Sequence, residues 1–283
     1  MAEAFGIVAG AMGIAGLFNN CVDCFEYVQM ARNFGRDFNS AQLRLDFAKL
    51  NLSRWGQVVN INDNPQLSDE RLAREALWQI LVLFSNAAEV SSRFKSSLSQ
   101  VQPLYDPDID TSVDVHHLHH GLRRLTRQRR KVNGLFSKVS WALYQSKNLD
   151  RLITNITDHV DDLYKLIPAA DAGERLPLLL AEEVASFDQG DLQLIETQAE
   201  NTDELLREAV KVEIERLRGH RTGNVKIGAQ AKVRVGDEYS DSAIQSEYKP
   251  GHTAGASTGN VDATDESRMH VGHSYGGPSV MGD

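Results

Sequence analysis

Residues 222–239 read TGNVKIGAQAKVRVGDEY and residues 258–275 read TGNVDATDESRMHVGHSY, the same pattern recurring without a gap at an offset of 36. Thr222, Gly223, Asn224 and Val225 match Thr258, Gly259, Asn260 and Val261, and Val235, Gly236 and Tyr239 match Val271, Gly272 and Tyr275. Lys232 agrees with Arg268 in charge and Val233 with Met269 in apolarity, whereas Lys226 falls opposite Asp262. AKVRV (231–235) and RMHV (268–271) alternate with the period of a strand. Stacked β-rungs suit such a repeat, because equivalent residues then lie above one another. Asn224 over Asn260 would form an amide ladder, and the Lys226–Asp262 swap avoids a like-charge column. A stack of this kind needs about three or more units to bury its apolar faces, and this chain carries two. The missing layers must come from other molecules, so the segment is constrained towards a templated polymer. Its expected core is Asn224, Val225, Ile227, Val233, Val235, Gly236 and Tyr239 with Asn260, Val261, Ala263, Met269, Val271, Gly272 and Tyr275. A degenerate Gly-rich tail is the plainer reading, but seven identities in 18 aligned positions exceed what it ordinarily produces.

The text changes character near residue 220. Residues 222–283 hold ten of the 21 glycines, three tyrosines, no phenylalanine and no tryptophan, and this tail is expected to be disordered as a monomer. Residues 243–257 read as a connector between the repeats. Upstream, apolar residues recur at helical spacing. QLRLDFAKLNLSRWGQVV (42–59) predicts a stripe of Leu43, Phe47, Leu50 and Trp55, and 70–94, 133–167 and 191–219 read as further long amphipathic helices. Connectors are expected at 62–69, 102–110 and 167–177, with Ser68 as a helix start. The expected organisation is an all-α helical bundle over 1–220, followed by a polymerising tail over 221–283.

From Ala4 to Val22 no side chain is charged, yet Gly6, Gly10, Gly13 and Gly16 interrupt the stretch. As a helix it would measure about 28 Å, near the roughly 30 Å hydrocarbon core of a bilayer. Each interior glycine costs on the order of 1 kcal/mol in an aqueous helix, whereas small residues at this spacing favour close helix packing in a membrane. A glycine-rich core helix is the resting expectation, and conditional insertion through Phe5, Gly6, Ile7, Val8, Gly10, Met12, Gly13, Ile14, Gly16, Leu17 and Phe18 is the functional one. No basic region precedes the stretch, so a cleaved signal peptide is not expected.

The remaining signals are weaker. Cys21 and Cys24 are the only cysteines, read as buried small hydrophobes rather than a redox or zinc motif. His116 and His120 stand at i,i+4, but no carboxylate is in place to complete a metal site, and none is expected. Arg123, Arg124, Arg127, Arg129, Arg130 and Lys131 form a basic run, either a solvated helix face or a contact for lipid headgroups. Without interleaved aromatics, and with a net charge of −9, nucleic acid is the weaker partner. No phosphate loop, nucleophile elbow or framed carboxylate pair occurs, so neither an enzyme nor a cofactor is expected.

FGIVAGAMGIAGLFNNCVDCFEYVQ (5–29), FGRDF (34–38), QLRLDFAKLNLSRWG (42–56) and WALYQSKNLDRL (141–152) resemble the HeLo domain of the fungal HET-s/HET-S heterokaryon-incompatibility proteins. The paired repeats resemble that family's prion-forming domain. The resemblance implies a helical domain and a tail that becomes a β-solenoid amyloid contributing two rungs per molecule. It implies a cytoplasmic protein whose partners are its own copies, the allelic protein, a NOD-like receptor with a matching motif and, on activation, the lipids of the cell membrane. In the toxic type the amyloid tail destabilises the helical domain and releases the N-terminal segment; the other type carries only the prion. The types differ at the position of Asn33, where asparagine matches neither. The family's tail ends in an aromatic-bearing loop, replaced here by GGPSVMGD (276–283) with only Val280 and Met281 to fill that part. A scaffold that polymerises without touching membranes is the alternative.

Overall fold

The computed structural model describes residues 12–32, 37–97, 103–129, 141–218, 221–222, 224–228, 231–235, 257–258, 260–264 and 268–271. Contacts divide the chain into two units, Met1–Val210 and Lys211–Asp283. In the first, the described residues form α1 (Ile14–Glu26), β1 (Val28–Met30), α2 (Phe38–Val58), α3 (Glu70–Ser97), α4 (Pro107–Asp110), α5 (Val113–Gln128), β2 (Trp141–Leu143), α6 (Ser146–Tyr164), α7 (Ala169–Ala185) and α8 (Gln189–Gln198). Helix α9 (Glu204–Arg218) begins there and runs on into the second.

Helix α2 is the axis of the bundle, packed against α1, α5, α6, α7 and α8. Leu43, Phe47, Leu50 and Trp55 are buried as the periodicity predicts, but so are Leu45, Leu52 and Val58 around the rest of the helix. The single-stripe reading is therefore corrected. A helix packed against five others keeps little surface for water, with Gln57 exposed and Arg44 partly so, and Gln42, Asp46, Lys49, Asn51 and Arg54 are buried too. Buried polar groups need partners: Gln42 donates to Asp46 at 3.2 Å, and Asn51 to the Thr202 carbonyl at 3.3 Å. Trp55 is wholly buried and donates its indole N–H to the Leu163 carbonyl at 2.9 Å, tying α2 to the end of α6. Each such large apolar side chain contributes roughly 1.5–3 kcal/mol by leaving water.

Four further expectations change. Within 133–167, Trp141–Leu143 is a strand, not helix, paired in parallel with β1 so that Val28 faces Trp141 and Met30 faces Leu143. All three residues are buried; a short apolar run has no periodicity of its own, and its pairing partner lies more than a hundred residues away. The stretch 191–219 is two helices, broken where Asn201 adopts φ 57° and Asp203 caps α9 by accepting from Leu206 N–H at 3.2 Å. The expected connector 167–177 lies largely in α7, with Pro177 inside the helix. Leu176 and Leu179 pack on the core, and Arg175 donates to the Gln57 carbonyl at 2.9 Å, anchoring a segment its breakers would otherwise open. At the start of α3, Asp69 caps the helix by accepting from Leu72 N–H at 3.0 Å; Ser68 instead donates to the Leu166 carbonyl.

In the second unit, β3 (Arg221–Thr222), β4 (Val225–Ile227) and β5 (Lys232–Val235) pair in parallel with β6 (Ser257–Thr258), β7 (Val261–Ala263) and β8 (Arg268–Val271). Thr222 faces Thr258, Val225 faces Val261, Lys226 faces Asp262 and Val235 faces Val271, every pair at the 36-residue offset of the aligned text. The fold is thus an all-α bundle followed by a tail whose described residues are short parallel strand pairs.

Candidate functional site

Helix α1 carries the described part of the apolar N-terminal stretch; Phe5, Gly6, Ile7, Val8 and Gly10 lie outside the described residues. Gly13 precedes the helix and its carbonyl accepts from Leu17 N–H at 3.1 Å. Ile14, Leu17 and Phe18 are buried in the core, with Met12 packed beside them. The Phe18 ring lies 6.0 Å from Trp55 and occupies the space a side chain at Gly56 would need: a Cβ there would stand 2.3 Å from the ring. Gly56 is therefore the seat of α1, a role unrecognised in the sequence although a glycine inside a helical run is its usual sign. Arg74 donates to the Met12 carbonyl and Asn19 to Asn62, both at 2.9 Å, holding the start of the helix. A Cβ added at Gly16 would meet Met12 of its own segment at 3.0 Å. Among the described residues no helix is long and apolar enough to cross a membrane.

The far end of α1 is fixed by charge. Glu26 pairs with Lys49 and lies 3.5 Å from Arg123. These groups, with Asp46 and His119, line a cavity of about 450 Å³ between β1, α2 and α5. Burial pushes the Glu26 carboxyl up, but Lys49 and Arg123 outweigh it and hold Glu26 below its ordinary 4.5. A carboxyl depressed on folding contributes stability above its unfolded value, lost as pH falls through the folded one. Thermal unfolding of the native chain and of Glu26→Gln should therefore differ most near neutrality and converge as pH drops below 4.5.

A second constellation was invisible in the sequence. Arg54 is fully buried and binds Glu183 through Nε and Nη2 at 2.7–3.0 Å and Asp203 through Nη1 and Nη2 at 2.6–2.9 Å. Asn51 and the Tyr164 hydroxyl complete its shell, and Arg129 also pairs with Glu183. Burial opposes the Arg54 charge, but Asp203 and Glu183 outweigh it and hold the guanidinium protonated. One side chain of α2 thus joins α7 to the residue that caps α9.

The basic run is only partly solvated. Arg124 and Arg127 are exposed, Arg123 is half-buried against Glu26, and Arg129 is turned into the fold against Glu183. Arg130, like Asn33, lies outside the described residues. The histidine pair does have a carboxylate: Asp108 Oδ1 lies 3.4 Å from His120 Nε2. The fold supplies it from α4, a separate element that helical spacing along α5 does not reach.

In the tail, Asn260 N–H donates to Asn224 Oδ1 at 3.0 Å, so the two asparagines meet side chain to backbone. The ladder continues with Val225 N–H to the Asn260 carbonyl and Thr264 N–H to the Ile227 carbonyl, both at 2.9 Å. Ile227 and Val235 of the first rung are buried, whereas Val261 and Val271 of the second are each 40% exposed. Val233 and Met269 are half-buried and face one another, as Ile227 faces Ala263. Gly236, Tyr239, Gly272 and Tyr275 lie outside the described residues.

The HeLo family model, described as prion-inhibition and propagation, matches residues 6–218, and the Het-s 218-289 model matches residues 213–276. The chain is 35% identical over 285 aligned positions to the heterokaryon incompatibility protein s of Podospora anserina, covering 98% of each. Protein S of the same fungus matches with the same identity and coverage. The solved N-terminal domain of HET-S is similar at 37% identity and a TM-score of 0.68, over 75% of this chain and 97% of that one. A substituted form of the HET-s N-terminal domain is similar at 35% and 0.66. These relatives are named as incompatibility proteins, not as enzymes. A helical bundle built around α2, followed by a repeat paired in parallel at a fixed offset, belongs to the HET-s/HET-S heterokaryon-incompatibility family, with a HeLo domain and a prion-forming domain.

Proposed function

We propose that the chain is an amyloid-templated switch of fungal incompatibility and programmed cell death. The tail, 221–283, polymerises as a two-rung β-solenoid, and its conversion releases the N-terminal segment from the helical domain, 1–220, into a membrane. The observation that carries this reading is the uneven burial of the rungs: Ile227 and Val235 of the first are buried, and Val261 and Val271 of the second stand open to another layer. Each molecule added to such a stack advances it by two strand spacings, about 9.5 Å. One helix with its side chains is already about 10–12 Å wide, so a bundle several helices across cannot follow that repeat undistorted. The crowding pulls at α9, whose cap Asp203 is locked to Arg54. The partners are copies of itself, the allelic protein, a NOD-like receptor bearing the motif, and lipids met by the apolar segment and by Arg123, Arg124, Arg127 and Arg130. The protein moves from the cytoplasm to the cell membrane.

The scaffold reading is favoured by one observation: α1 is pinned at both ends, by Arg74 and Asn62 and by Lys49. Cys21 and Cys24, the only thiols, are both buried on α1, and burial pushes the Cys24 thiol up to about 12 and Cys21 well above its ordinary value. Such thiols are inert. The native full chain should not react with a thiol-exchange dye; seeded with tail fibrils, it should turn thioflavin-positive, expose both thiols and leak anionic liposomes. No seeded conversion would sink the amyloid reading, and conversion with protected thiols and intact liposomes would leave the scaffold.

A further inference from the structure

We propose that Asp108, His116 and His120 form a binding site for a divalent transition-metal cation such as zinc, nickel or copper. His116 and His120 lie one turn apart on α5 with their Nε2 atoms 3.1 Å from each other, and Asp108 Oδ1 reaches in from α4 to 3.4 Å from His120 Nε2. All three atoms lie within 4.8 Å of one another. Ligands held about 2.0–2.1 Å from one metal are about 2.9 Å apart in an octahedral arrangement and about 3.4 Å apart in a tetrahedral one; the 3.1 and 3.4 Å separations here lie within that range. Two Nε2 atoms turned towards each other cannot both carry a proton at that separation, so at least one lone pair already points into the site. Two imidazoles and one carboxylate make a neutral-to-borderline donor set suited to these metals rather than to magnesium or calcium.

The surroundings hold the ligands in place. Asp108 N–H donates to Asp106 Oδ1 at 3.0 Å, fixing the start of α4, and Arg123 Nη1 stands 3.8 Å from Asp108 Oδ1. Arg123 is also the competing cation, so bound metal must displace its pull on the carboxylate. Asp108 and His120 are about half exposed, which leaves a coordination position for water or a fourth ligand. The cation would staple the α4 connector to α5, and Arg32 to Asp110 at 3.1 Å carries that connector on towards β1.

A neighbouring cluster supplies the control. His117 Nδ1 sits 3.0–3.1 Å from both oxygens of Asp191, and Asp188 Oδ1 is engaged by Asp191 N–H at 2.9 Å. That geometry is complete with a protonated imidazole and a helix cap. The test is calorimetric titration of the untagged full chain, kept monomeric, with zinc chloride, followed by cobalt(II) absorption spectroscopy. One site is expected, with a cobalt ligand-field band and a raised Tm on zinc addition. His120→Ala and Asp108→Asn should each weaken binding by at least the roughly 10–100-fold that loss of a mere outer-shell partner costs and abolish the Tm shift, while His117→Ala leaves both unchanged. Asp108 lies on a different element from His120, so its variant decides the matter if His120→Ala fails to fold. Equal affinity in the native chain and Asp108→Asn, or no binding by the native chain, overturns the proposal; the tail histidines are the alternative ligands in the first case.

Discussion

Arg54→Ala should lower the stability of the helical domain by about 3–5 kcal/mol, the usual loss when one partner of a buried ion network is removed. The cost comes from what stays behind. Glu183 and Asp203 are both fully buried, and Arg54 supplies all of its guanidinium nitrogens to them. Without it Glu183 keeps Arg129, but the described ion pairs of Asp203 are gone. For a domain of this size the fall in Tm is roughly 6–20 °C. Arg54→Lys retains the charge but not the planar fork that meets two carboxylates at once, so it should recover only part of the loss. Arg54→Met combined with Asp203→Asn should recover more than Arg54→Ala alone, because no unpaired charge is left and Glu183 still has Arg129. Urea unfolding followed by Trp fluorescence measures all four chains. A loss below about 1 kcal/mol in Arg54→Ala would mean that the network is replaced by water and does not lock α9 to α2. Because that lock ties α2, which seats α1, to the helix that leads into the tail, the same variant should also expose Cys21 and Cys24 at a lower dose of tail fibrils.

What was legible in the sequence follows the range of the interactions involved. Helices α3 and α6 announced themselves because an amphipathic helix writes its buried face into neighbouring residues. The parallel strand pairs of the tail were equally plain, since a repeat prints its own register. Strand β2 was not, because WAL is helix-compatible by itself and becomes a strand only through Val28–Met30. The break between α8 and α9 was written locally, in Asn201 and Asp203, and was overlooked because Leu192, Ile195, Leu206 and Val210 keep an apolar rhythm across it. Arg54 and Asp108 lay beyond reach for a different reason. An arginine in LNLSRWGQV reads as a helix's polar side until five neighbours close around it, and an aspartate in a Pro- and Asp-rich connector reads as solvated until the connector folds back over α5.

Lys226→Asp should slow seeded conversion of the full chain at least 100-fold at low salt, and adding Asp262→Lys to it should restore the rate. In the described pairing Lys226 faces Asp262 across parallel strands. In a stack of molecules each Lys226 would then have an Asp262 on both sides, its own and its neighbour's, about 4.8 Å away along the column. Changing Lys226 to aspartate makes every charge in that column negative. Two like unit charges at that spacing repel by about 0.9 kcal/mol in bulk water and about 3.5 kcal/mol at the effective dielectric of a protein surface. Each molecule added meets this twice and also loses two attractions, which places the penalty well above the 1.4 kcal/mol that a tenfold effect requires. The repulsion is between partly solvated groups, so raising salt to 1 M, where the screening length is about 3 Å, should recover much of the rate. The double exchange, seeded with its own fibrils, rebuilds an alternating column with the signs reversed. Val271→Asp should behave differently, since it places a charge on the apolar face that the next layer must cover, and neither salt nor a second substitution at 262 should rescue it. Thioflavin kinetics on these four chains separate a column of stacked charges from a tail that merely aggregates: if the single and double charge variants convert at the same rate, residues 226 and 262 do not lie above one another in the fibril.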